Sequence, residues 1–261
     1  MKFLSQEEPI ESLKVLANSG RHSVLISGPK GSGKTYLAKQ FASMLNISDF
    51  QTVSAKVDDI RNTISSCLSI NNKVAICIEN LDTGVAGAAY SLLKFLEEPA
   101  EHVYIVVTVR NIQRVPDTIL SRSALVTTAP PTYSDIEQYS SAKNFARFSQ
   151  LEHQVIWKCV KTFSEADMVM NLTNEQLIYF DSLSSLTSFN DTVSNMCWKL
   201  GHYNDNTEAP AELVIRYLME IVNTSQIKRC GITCLSDISS GRIATHAAIA
   251  KFLFEMKYTT Q

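Results

Sequence analysis

The sequence has no long hydrophobic run and no excess of charge of either sign. Its longest apolar stretches, such as Val74 to Ile78 and Val103 to Val107, are about one strand long. A membrane-spanning helix needs roughly 20 residues, so no membrane partner is expected. Lys and Arg number 24 against 26 Asp and Glu, so the net charge does not imply attraction of the whole molecule to nucleic acid. Any contact with DNA must come from a local patch.

The sequence also has no secretion signal and no cysteine framework. Met1 to Leu4 is followed by the polar Gln6 to Glu8 rather than by an apolar core. A cytoplasmic protein is therefore expected, in the host cytoplasm if a phage encodes it. The six cysteines are scattered, which favours reduced thiols. Cys230 and Cys234 could form half of a zinc site, but no second pair has suitable spacing, so core packing is the favoured interpretation.

Short apolar stretches alternate with helix-period segments from Ser23 to about Thr128. This alternation is typical of a parallel sheet covered by helices. Amphipathic helices are predicted at Lys34 to Leu45 and around Ala89 to Leu96. The predicted strands are Val24 to Ser27, Phe50 to Val53, Val74 to Ile78, Val103 to Thr108 and Ala124 to Thr127. The first part of the chain is therefore predicted to be an α/β domain.

The regular alternation ends at Pro130 and Pro131, and the remainder is predicted to be helix and loop. A helix capped by Ser134 or Thr132 should run through Ser140. Further helices are predicted at Gln154 to Phe163, Asn174 to Ser182, Phe189 to Leu200, Ala211 to Val222 and Ile243 to Met256, with a linker at Gly201 to Pro210 and a looser segment at Asn223 to Gly241. We expect an α/β domain at 1–130, a small helical domain at 131–203 and a short helical domain at 208–261.

A glycine-rich motif for phosphate binding follows the first predicted strand. Residues 28–35 match the pattern G-x-x-x-x-G-K-[ST] at every fixed position. The loop consists of Gly28, Pro29, Lys30, Gly31, Ser32, Gly33, Lys34 and Thr35. Backbone N–H groups of such a turn point at phosphate oxygens, and the helix that follows adds a partial positive charge. Lys34 would reach the β- and γ-phosphates, and Thr35 would ligate Mg2+. ATP and Mg2+ are the predicted cofactors.

An acidic strand and two later motifs complete a recognisable succession. The third predicted strand runs into Glu79 and Asn80, residues 92–99 have the sequence LLKFLEEP, and residues 116–123 have the sequence PDTILSRS. This succession resembles the gamma and delta-prime subunits of bacterial clamp loaders, which are AAA+ ATPases. Their corresponding stretches are close to ALLKTLEEP and TILSRC. The resemblance covers about residues 20–130.

The resemblance implies domains and partners. The AAA+ domain would be followed by a helical lid over the nucleotide and by a helical collar that holds the subunits in an open ring. The partners would be other loader subunits, the sliding clamp and primer-template DNA. The zinc module of bacterial members is missing, since only Cys67 and Cys77 lie in the corresponding interval. In this respect the chain is more similar to the zinc-free small subunits of phage, archaeal and eukaryotic loaders.

The acidic strand departs from the family's Asp-Glu pair, whose first residue serves the metal and whose second polarises the attacking water. Aligned without a gap, these places hold Glu79 and Asn80. Glu79 would then serve the metal, but an amide cannot accept a proton as a carboxylate does. A shift by one residue would make Glu79 the catalytic acid and leave Ile78 at the metal position. Neither alignment restores the pair, which leaves open whether this subunit hydrolyses ATP.

The resemblance also implies roles for residues outside the loop. A polar sensor at the end of the fourth strand falls on Thr108, although the ungapped alignment gives Val109. No clear sensor arginine is found in the lid, where Lys199 is a weak substitute. Arg122 takes the place of the arginine finger, which would cross to the γ-phosphate of a neighbouring subunit. The alternative for Arg122 is a solvated loop arginine.

Two further arginines, Arg110 and Arg114, follow the sensor strand four residues apart. They could face duplex phosphates within the ring, where each neutralised phosphate adds a salt-dependent increment of affinity. A solvated basic face is the equal alternative.

Three functions are compatible with the sequence. The favoured one is an ATP-binding subunit of a sliding-clamp loader, acting in a ring at primer-template DNA. A subunit that binds ATP but serves only as a scaffold or stator is favoured by Asn80, whereas the intact phosphate loop favours hydrolysis. Another AAA+ replication factor, such as a helicase loader, would not explain residues 92–99 followed by Ser121 and Arg122.

Overall fold

The computed structural model describes residues 6–84, 86–142, 158–171, 208–222, 224–240, 242 and 245–259. It divides the chain into two compact units, Met1–Asp135 and Ile136–Gln261. Among the helices in these described ranges, none is both long enough and apolar enough to cross a membrane.

The first unit is built around a parallel sheet of five strands. The strands are β1 (Ser23–Ser27), β2 (Asp49–Ser54), β3 (Val74–Glu79), β4 (Val103–Val109) and β5 (Ala124–Thr127). Their order across the sheet is β2-β3-β4-β1-β5, and every neighbouring pair is parallel. The predicted parallel α/β architecture is therefore confirmed, and each predicted strand is found within one residue at either end.

Helices of the first unit lie between the strands. They are α1 (Glu7–Asn18), α2 (Lys34–Met44), α3 (Val57–Leu68), α4 (Ala86–Glu97) and the short α5 (Asp117–Leu120). Of these, α1, α3 and α5 were not predicted. In α3 the buried residues Ile60, Ile64 and Cys67 have helical spacing, and acidic residues in its first turn stabilise the helix N-terminus.

Each face of the sheet has its own hydrophobic core. Along β1, Val24 and Ile26 pack with Leu37 and Phe41 of α2. The intervening Leu25 belongs to the opposite core, with residues of α3 and α4. Strands buried on both faces are continuous apolar runs rather than alternating ones, which is why the sequence shows them clearly. The two covered faces leave the carboxyl edge of the sheet as the place for a site.

The described helices of the second unit follow a helix at the boundary between the units, α6 (Tyr133–Ala142). They are α7 (Phe163–Met170), α8 (Glu208–Val222), α9 (Ser225–Ser239) and α10 (Thr245–Thr259). The helices α8, α9 and α10 pack against one another. A Cβ on Gly231 of α9 would lie 2.2 Å from the Met219 sulfur of α8, so this glycine allows close approach.

The prediction of a looser segment at Asn223 to Gly241 is wrong, because most of these residues form α9. Thr224 caps this helix by accepting a hydrogen bond at its hydroxyl from the Ile227 N–H. Ile227, Gly231 and Ile238 are among its buried residues, spaced for one helical face. Most of its exposed residues are polar or charged, and this conceals the apolar period in the sequence.

The structure corrects or decides three further predictions for the helical part of the chain. The helix predicted at Gln154 to Phe163 is interrupted, since the backbone is not helical between Cys159 and α7, which begins at Phe163. The linker predicted at Gly201 to Pro210 overlaps the start of α8. Of the two candidate caps for α6, Thr132 is the one whose hydroxyl accepts from a helical N–H, that of Asp135. The helices predicted at Asn174 to Ser182 and Phe189 to Leu200, and with them Lys199, lie outside the described residues.

Candidate nucleotide-binding site

The carboxyl ends of β3, β4 and β1 meet side by side at one edge of the sheet, because these strands are parallel neighbours. The loop after β1 begins at Gly28, whose N–H donates to the carbonyl of Val109 at the end of β4 (3.1 Å). The third strand ends here at Glu79. The topology therefore brings the glycine-rich loop, the acidic strand and the sensor strand together.

The glycine-rich loop joins β1 to α2 in a conformation that depends on glycine. Gly31 and Gly33 have φ of 74° and 82°, in the left-handed region that residues with a Cβ rarely adopt. A Cβ on Gly28 would lie 2.5 Å from the carbonyl oxygen of Thr128. In this loop Gly28, Ser32 and Lys34 are buried, Pro29 is exposed, and Lys30, Gly31, Gly33 and Thr35 are half-buried. The loop leads directly into the N-terminus of α2, which favours an anion.

Lys34 lies under this loop. Its Nζ donates to the carbonyl oxygens of Gly28 (2.9 Å) and Pro29 (2.7 Å). Burial, followed by the positive charge of Arg110, lowers the pKa of the Lys34 amine to about 8, while nearby carboxylates act in the opposite direction. An anion bound at the loop would favour the charged form of the amine.

Thr35 and Glu79, the two candidate metal ligands, are in direct contact. The Thr35 hydroxyl donates to the Glu79 carboxylate over 2.7 Å. A hydroxyl and a carboxylate are the oxygen ligands that Mg2+ prefers, so this pair fits the ion. Ile78 lies in the hydrophobic core instead. The geometry thus favours the alignment that places Glu79, and not Ile78, at the metal position.

Asn80 follows Glu79 with a left-handed backbone, φ 51°. Its N–H donates to the Thr108 hydroxyl (3.0 Å), and its side-chain oxygen accepts from Nε of Arg110 (3.2 Å). Val109, the alternative sensor residue, is buried in the core. Of the two candidate sensor residues, Thr108 is therefore the one that lies beside the end of the acidic strand.

Two residues at this edge were not predicted as part of the site. Asp82 accepts hydrogen bonds from the backbone N–H groups of Arg110 and Asn111, each at 3.0 Å. For Arg110 the sequence left open a contact with duplex phosphates or a solvated basic face, and its side chain donates to Asn80. The sequence signal for Asp82 was only an acid three residues after Glu79.

Gln6, just before α1, is a further contact of the loop. Its side-chain amide donates to the Ser32 carbonyl (2.8 Å) and to the Thr128 hydroxyl (3.1 Å), and the residue is fully buried. No local pattern in the sequence indicated this contact, which joins the chain before α1 to the phosphate loop and to the end of β5.

Arg122 follows α5 and is held by its own chain. Its guanidinium pairs with Glu97 (2.8 Å) and donates to the Thr118 carbonyl (3.0 Å) and the Ser121 hydroxyl (3.1 Å). Within the described part of the chain, its contacts include no residue of the phosphate loop. Ser123, which stands where the family has cysteine, shares a hydrogen bond of 2.8 Å with Ser23 of β1.

Comparison with known proteins agrees with the motifs. The family described as DNA polymerase III, delta subunit, matches residues 48–132, and that described as magnesium chelatase, subunit ChlI, matches residues 2–72. DNA polymerase III subunit tau of Bacillus subtilis is 28% identical over 151 residues, 46% of this chain and 27% of that protein. The similarity is to clamp-loader subunits of the AAA+ type.

A phage protein extends this similarity. The sliding-clamp-loader large subunit of Escherichia phage RB69 is 28% identical over 135 residues, which are 48% of this chain and 42% of that protein. This chain spans between 27% and 42% of the length of such curated relatives. The aligned region thus represents only part of each clamp-loader protein.

Solved structures share the fold at low sequence identity. A gamma-subunit-related protein of DNA polymerase III from Thermotoga maritima has a TM-score of 0.59 at 17% identity, covering 94% of this chain and 97% of that one. The RuvB Holliday junction branch migration motor of the same organism has a TM-score of 0.51 at 16% identity, covering 94% and 80%. At this level of identity the likeness shows the fold, which is of the P-loop AAA+ type.

Proposed function

We propose that this chain is the ATP-binding subunit of a DNA sliding-clamp loader. It acts with other loader subunits in a ring that opens the clamp and loads it at primer-template DNA. The observation that carries the proposal is the bond between Thr35 and Glu79, which joins the phosphate loop to the acidic strand. The relatives named as polymerase III and phage clamp-loader subunits support the choice of this loader over other AAA+ factors.

The loop residues 28–35 hold the phosphates of ATP through backbone N–H groups and the N-terminus of α2. Lys34 exchanges its bonds to the carbonyls of Gly28 and Pro29 for oxygens of the β- and γ-phosphates. Thr35 and Glu79 hold Mg2+, which supplies positive charge against the phosphates when bound. Thr108 fixes the turn after β3 by accepting from the N–H of Asn80.

The remaining domains follow the family layout in this proposal. Residues 1–130 form the AAA+ domain, residues 131–203 the helical lid and residues 208–261 the helical collar. The mutual packing of α8, α9 and α10 supports a helical module at the C-terminal end of the chain. In the ring, Arg122 serves the γ-phosphate of the neighbouring subunit, which fits a guanidinium without a contact to its own phosphate loop among the described residues.

A non-hydrolysing scaffold or stator is the second candidate. Asn80 favours it, because an amide whose oxygen accepts from Arg110 cannot act as a base toward water. Both candidates require ATP binding, and they differ in whether the chain turns ATP over.

The test of ATP binding is the Lys34→Ala substitution. It should abolish binding of ATP with Mg2+, because it removes the positive charge at the β- and γ-phosphates. The matched control is Lys39→Ala on the exposed face of the same helix, which should bind as the parent does. Calorimetric titration measures both, and far-UV circular dichroism checks that each variant is folded. Parental affinity in Lys34→Ala would show that the site is misplaced.

A further inference from the structure

Gln6 is a polar side chain enclosed against the phosphate loop. It directly precedes α1, whose buried Leu13 belongs with Phe41 of α2 to one hydrophobic core. The side-chain amide of Gln6 donates to the Ser32 carbonyl (2.8 Å) and to the Thr128 hydroxyl (3.1 Å). Gln6 and Ser32 are both fully buried. The chain before α1 therefore holds one peptide of the loop from its buried side.

The end of β5 closes this junction from another direction. The Thr128 hydroxyl lies 3.3 Å from the carbonyl oxygens of Ser32 and Ala129, and it has only one hydrogen to donate. Thr128 also packs tightly on the loop, because a Cβ on Gly28 would lie 2.5 Å from the Thr128 methyl group. The Gln6 amide is nearer to the Ser32 carbonyl than this hydroxyl is, so Gln6 is the stronger anchor of that carbonyl.

The hydrogen bond from Gln6 sets the direction of the next N–H group in the loop. The peptide that joins Ser32 to Gly33 is planar and trans, so its carbonyl and its N–H point in opposite directions. Because the carbonyl is anchored to Gln6, the Gly33 N–H points away from Gln6. No acceptor for this N–H is found among the described residues. It is therefore available to an anion at the start of α2.

The stability of the fold does not explain an amide at position 6. The Gln6 side-chain oxygen is buried without a hydrogen-bond partner among the described residues, and so is the Ser32 hydroxyl. A buried polar atom without a partner costs free energy, and apolar groups of the same shape can be neutral or stabilising in its place. The amide is therefore explained by what its N–H groups hold, which includes the Ser32 carbonyl.

We propose that Gln6 is a positioning residue for nucleotide binding, an inference that rests on the proposed function. It turns the peptide between Ser32 and Gly33 so that the Gly33 N–H faces the phosphates. Backbone N–H groups of such a loop serve the α- and β-phosphates, which ATP and ADP share. Gln6 therefore strengthens the binding of both nucleotides to the same extent.

Titrations of ATP and of ADP, each with Mg2+, into the parent chain and into Gln6→Met test this role. Methionine has an unbranched side chain of similar length and no N–H donor. The dissociation constants of both nucleotides should rise by about 10-fold, the effect of one lost buried hydrogen bond. The midpoint of thermal unfolding should stay the same or rise, because the unpaired amide oxygen is removed too. Thr128→Val, a second variant at this junction, should also weaken both nucleotides.

Leu13→Val is the control for a general loss of stability, since Leu13 lies in the core beneath the same helix. It should lower the unfolding midpoint and leave both affinities parental at a temperature where each variant is folded. Selective 15N labelling of the nine glycines adds a direct signal from the Gly33 amide. ADP with Mg2+ should shift this signal downfield in the parent, because the N–H becomes a hydrogen-bond donor, and shift it less in Gln6→Met.

Parental affinities in both Gln6→Met and Thr128→Val would overturn the inference. A loss of ATP binding alone would also overturn it, because the loop peptide serves phosphates that ADP shares. Equal losses of affinity in Gln6→Met and Leu13→Val would mean that Gln6 only stabilises the fold. In each of these cases a parent that binds ATP, beside a Lys34→Ala variant that does not, leaves the proposed function standing. A parent chain that binds no ATP would overturn both proposals.

Discussion

Asn80 is the residue that most limits the chemistry of this site. Its side-chain oxygen accepts from Arg110 and its N–H donates to Thr108. The side chain therefore offers no carboxylate to receive a proton from an attacking water. The lowered pKa of the Lys34 amine, about 8, shows how strongly burial and Arg110 act on the charges here.

We expect the isolated chain to hydrolyse ATP very slowly. A base at position 80 is missing, and no neighbouring subunit supplies an arginine for the charge on the transferred phosphoryl group. The measurement is steady-state phosphate release by the purified chain at saturating ATP, with Lys34→Ala as the background control. Turnover of several per second by the purified chain would contradict both parts of the argument.

At the scale of elements, strands were easier to predict than helices. The strands β1, β3 and β4 are buried almost throughout, so burial on both faces leaves apolar runs in the sequence. The helix α9 buries only one stripe and exposes mostly polar residues, so its apolar period is weak. The helix α1 was missed for a similar reason, since only Pro9 and Leu13 of its residues are buried.

The candidate site likewise contains residues that the sequence predicted and residues that it did not. The phosphate loop and Glu79 were predictable, because phosphate binding requires glycines, a lysine and a hydroxyl at fixed spacing after a strand. The contacts of Gln6 and Arg110 were not, since they join residues far apart in the chain. Gln6 reaches Thr128 across 122 residues, and only the strand order places Arg110 beside Asn80.

A buried ion pair should stabilise the packing of α7 against α8. Glu165 of α7 pairs with Arg216 of α8, and their side chains are 3% and 15% exposed. Arg216→Ala should lower the free energy of unfolding by about 3–5 kcal/mol, because it leaves Glu165 buried without its partner. Urea denaturation followed by circular dichroism measures the loss.

The control is the pair of Lys251 with Asp237, which spans 3.6 Å and has a lysine side chain that is 47% exposed. Lys251→Ala should cost at most about 1 kcal/mol, as is usual for a solvated pair. Equal losses in the two variants would mean that the pair with Glu165 has no special role.

At the scale of the whole molecule, the proposed role of Arg122 distinguishes a ring subunit from a solitary ATPase. Its pair with Glu97 is solvated, with side chains 34% and 51% exposed. Such a pair contributes only about 0–1 kcal/mol, so a neighbour's phosphate can replace Glu97 as the partner of the guanidinium. In the proposed ring, the pair with Glu97 would hold the arginine in place until a neighbouring subunit is present.

Arg122→Ala should leave the ATP affinity of the isolated chain almost unchanged. In the assembled loader with clamp and primed DNA, it should lower stimulated hydrolysis by about 10²-fold or more, because a preorganised charge is lost from phosphoryl transfer. Arg122→Lys should restore little, since lysine lacks the planar fork. Steady-state ATPase of the reconstituted assembly measures each variant. Undiminished stimulation in Arg122→Ala would make this residue an ordinary surface arginine.

The left-handed backbone at Asn80 has a consequence for how this subunit can evolve. Asparagine and aspartate are the residues with a side chain that most readily adopt φ near 51°, whereas glutamate does so less well. Codons for asparagine and aspartate differ at a single base. One transition in the gene would therefore convert the amide into an acid with the main chain unchanged, and the reverse transition would remove it. In the proposed loader, a single base change would thus separate a subunit with a carboxylate at this position from one without it, with the fold unchanged.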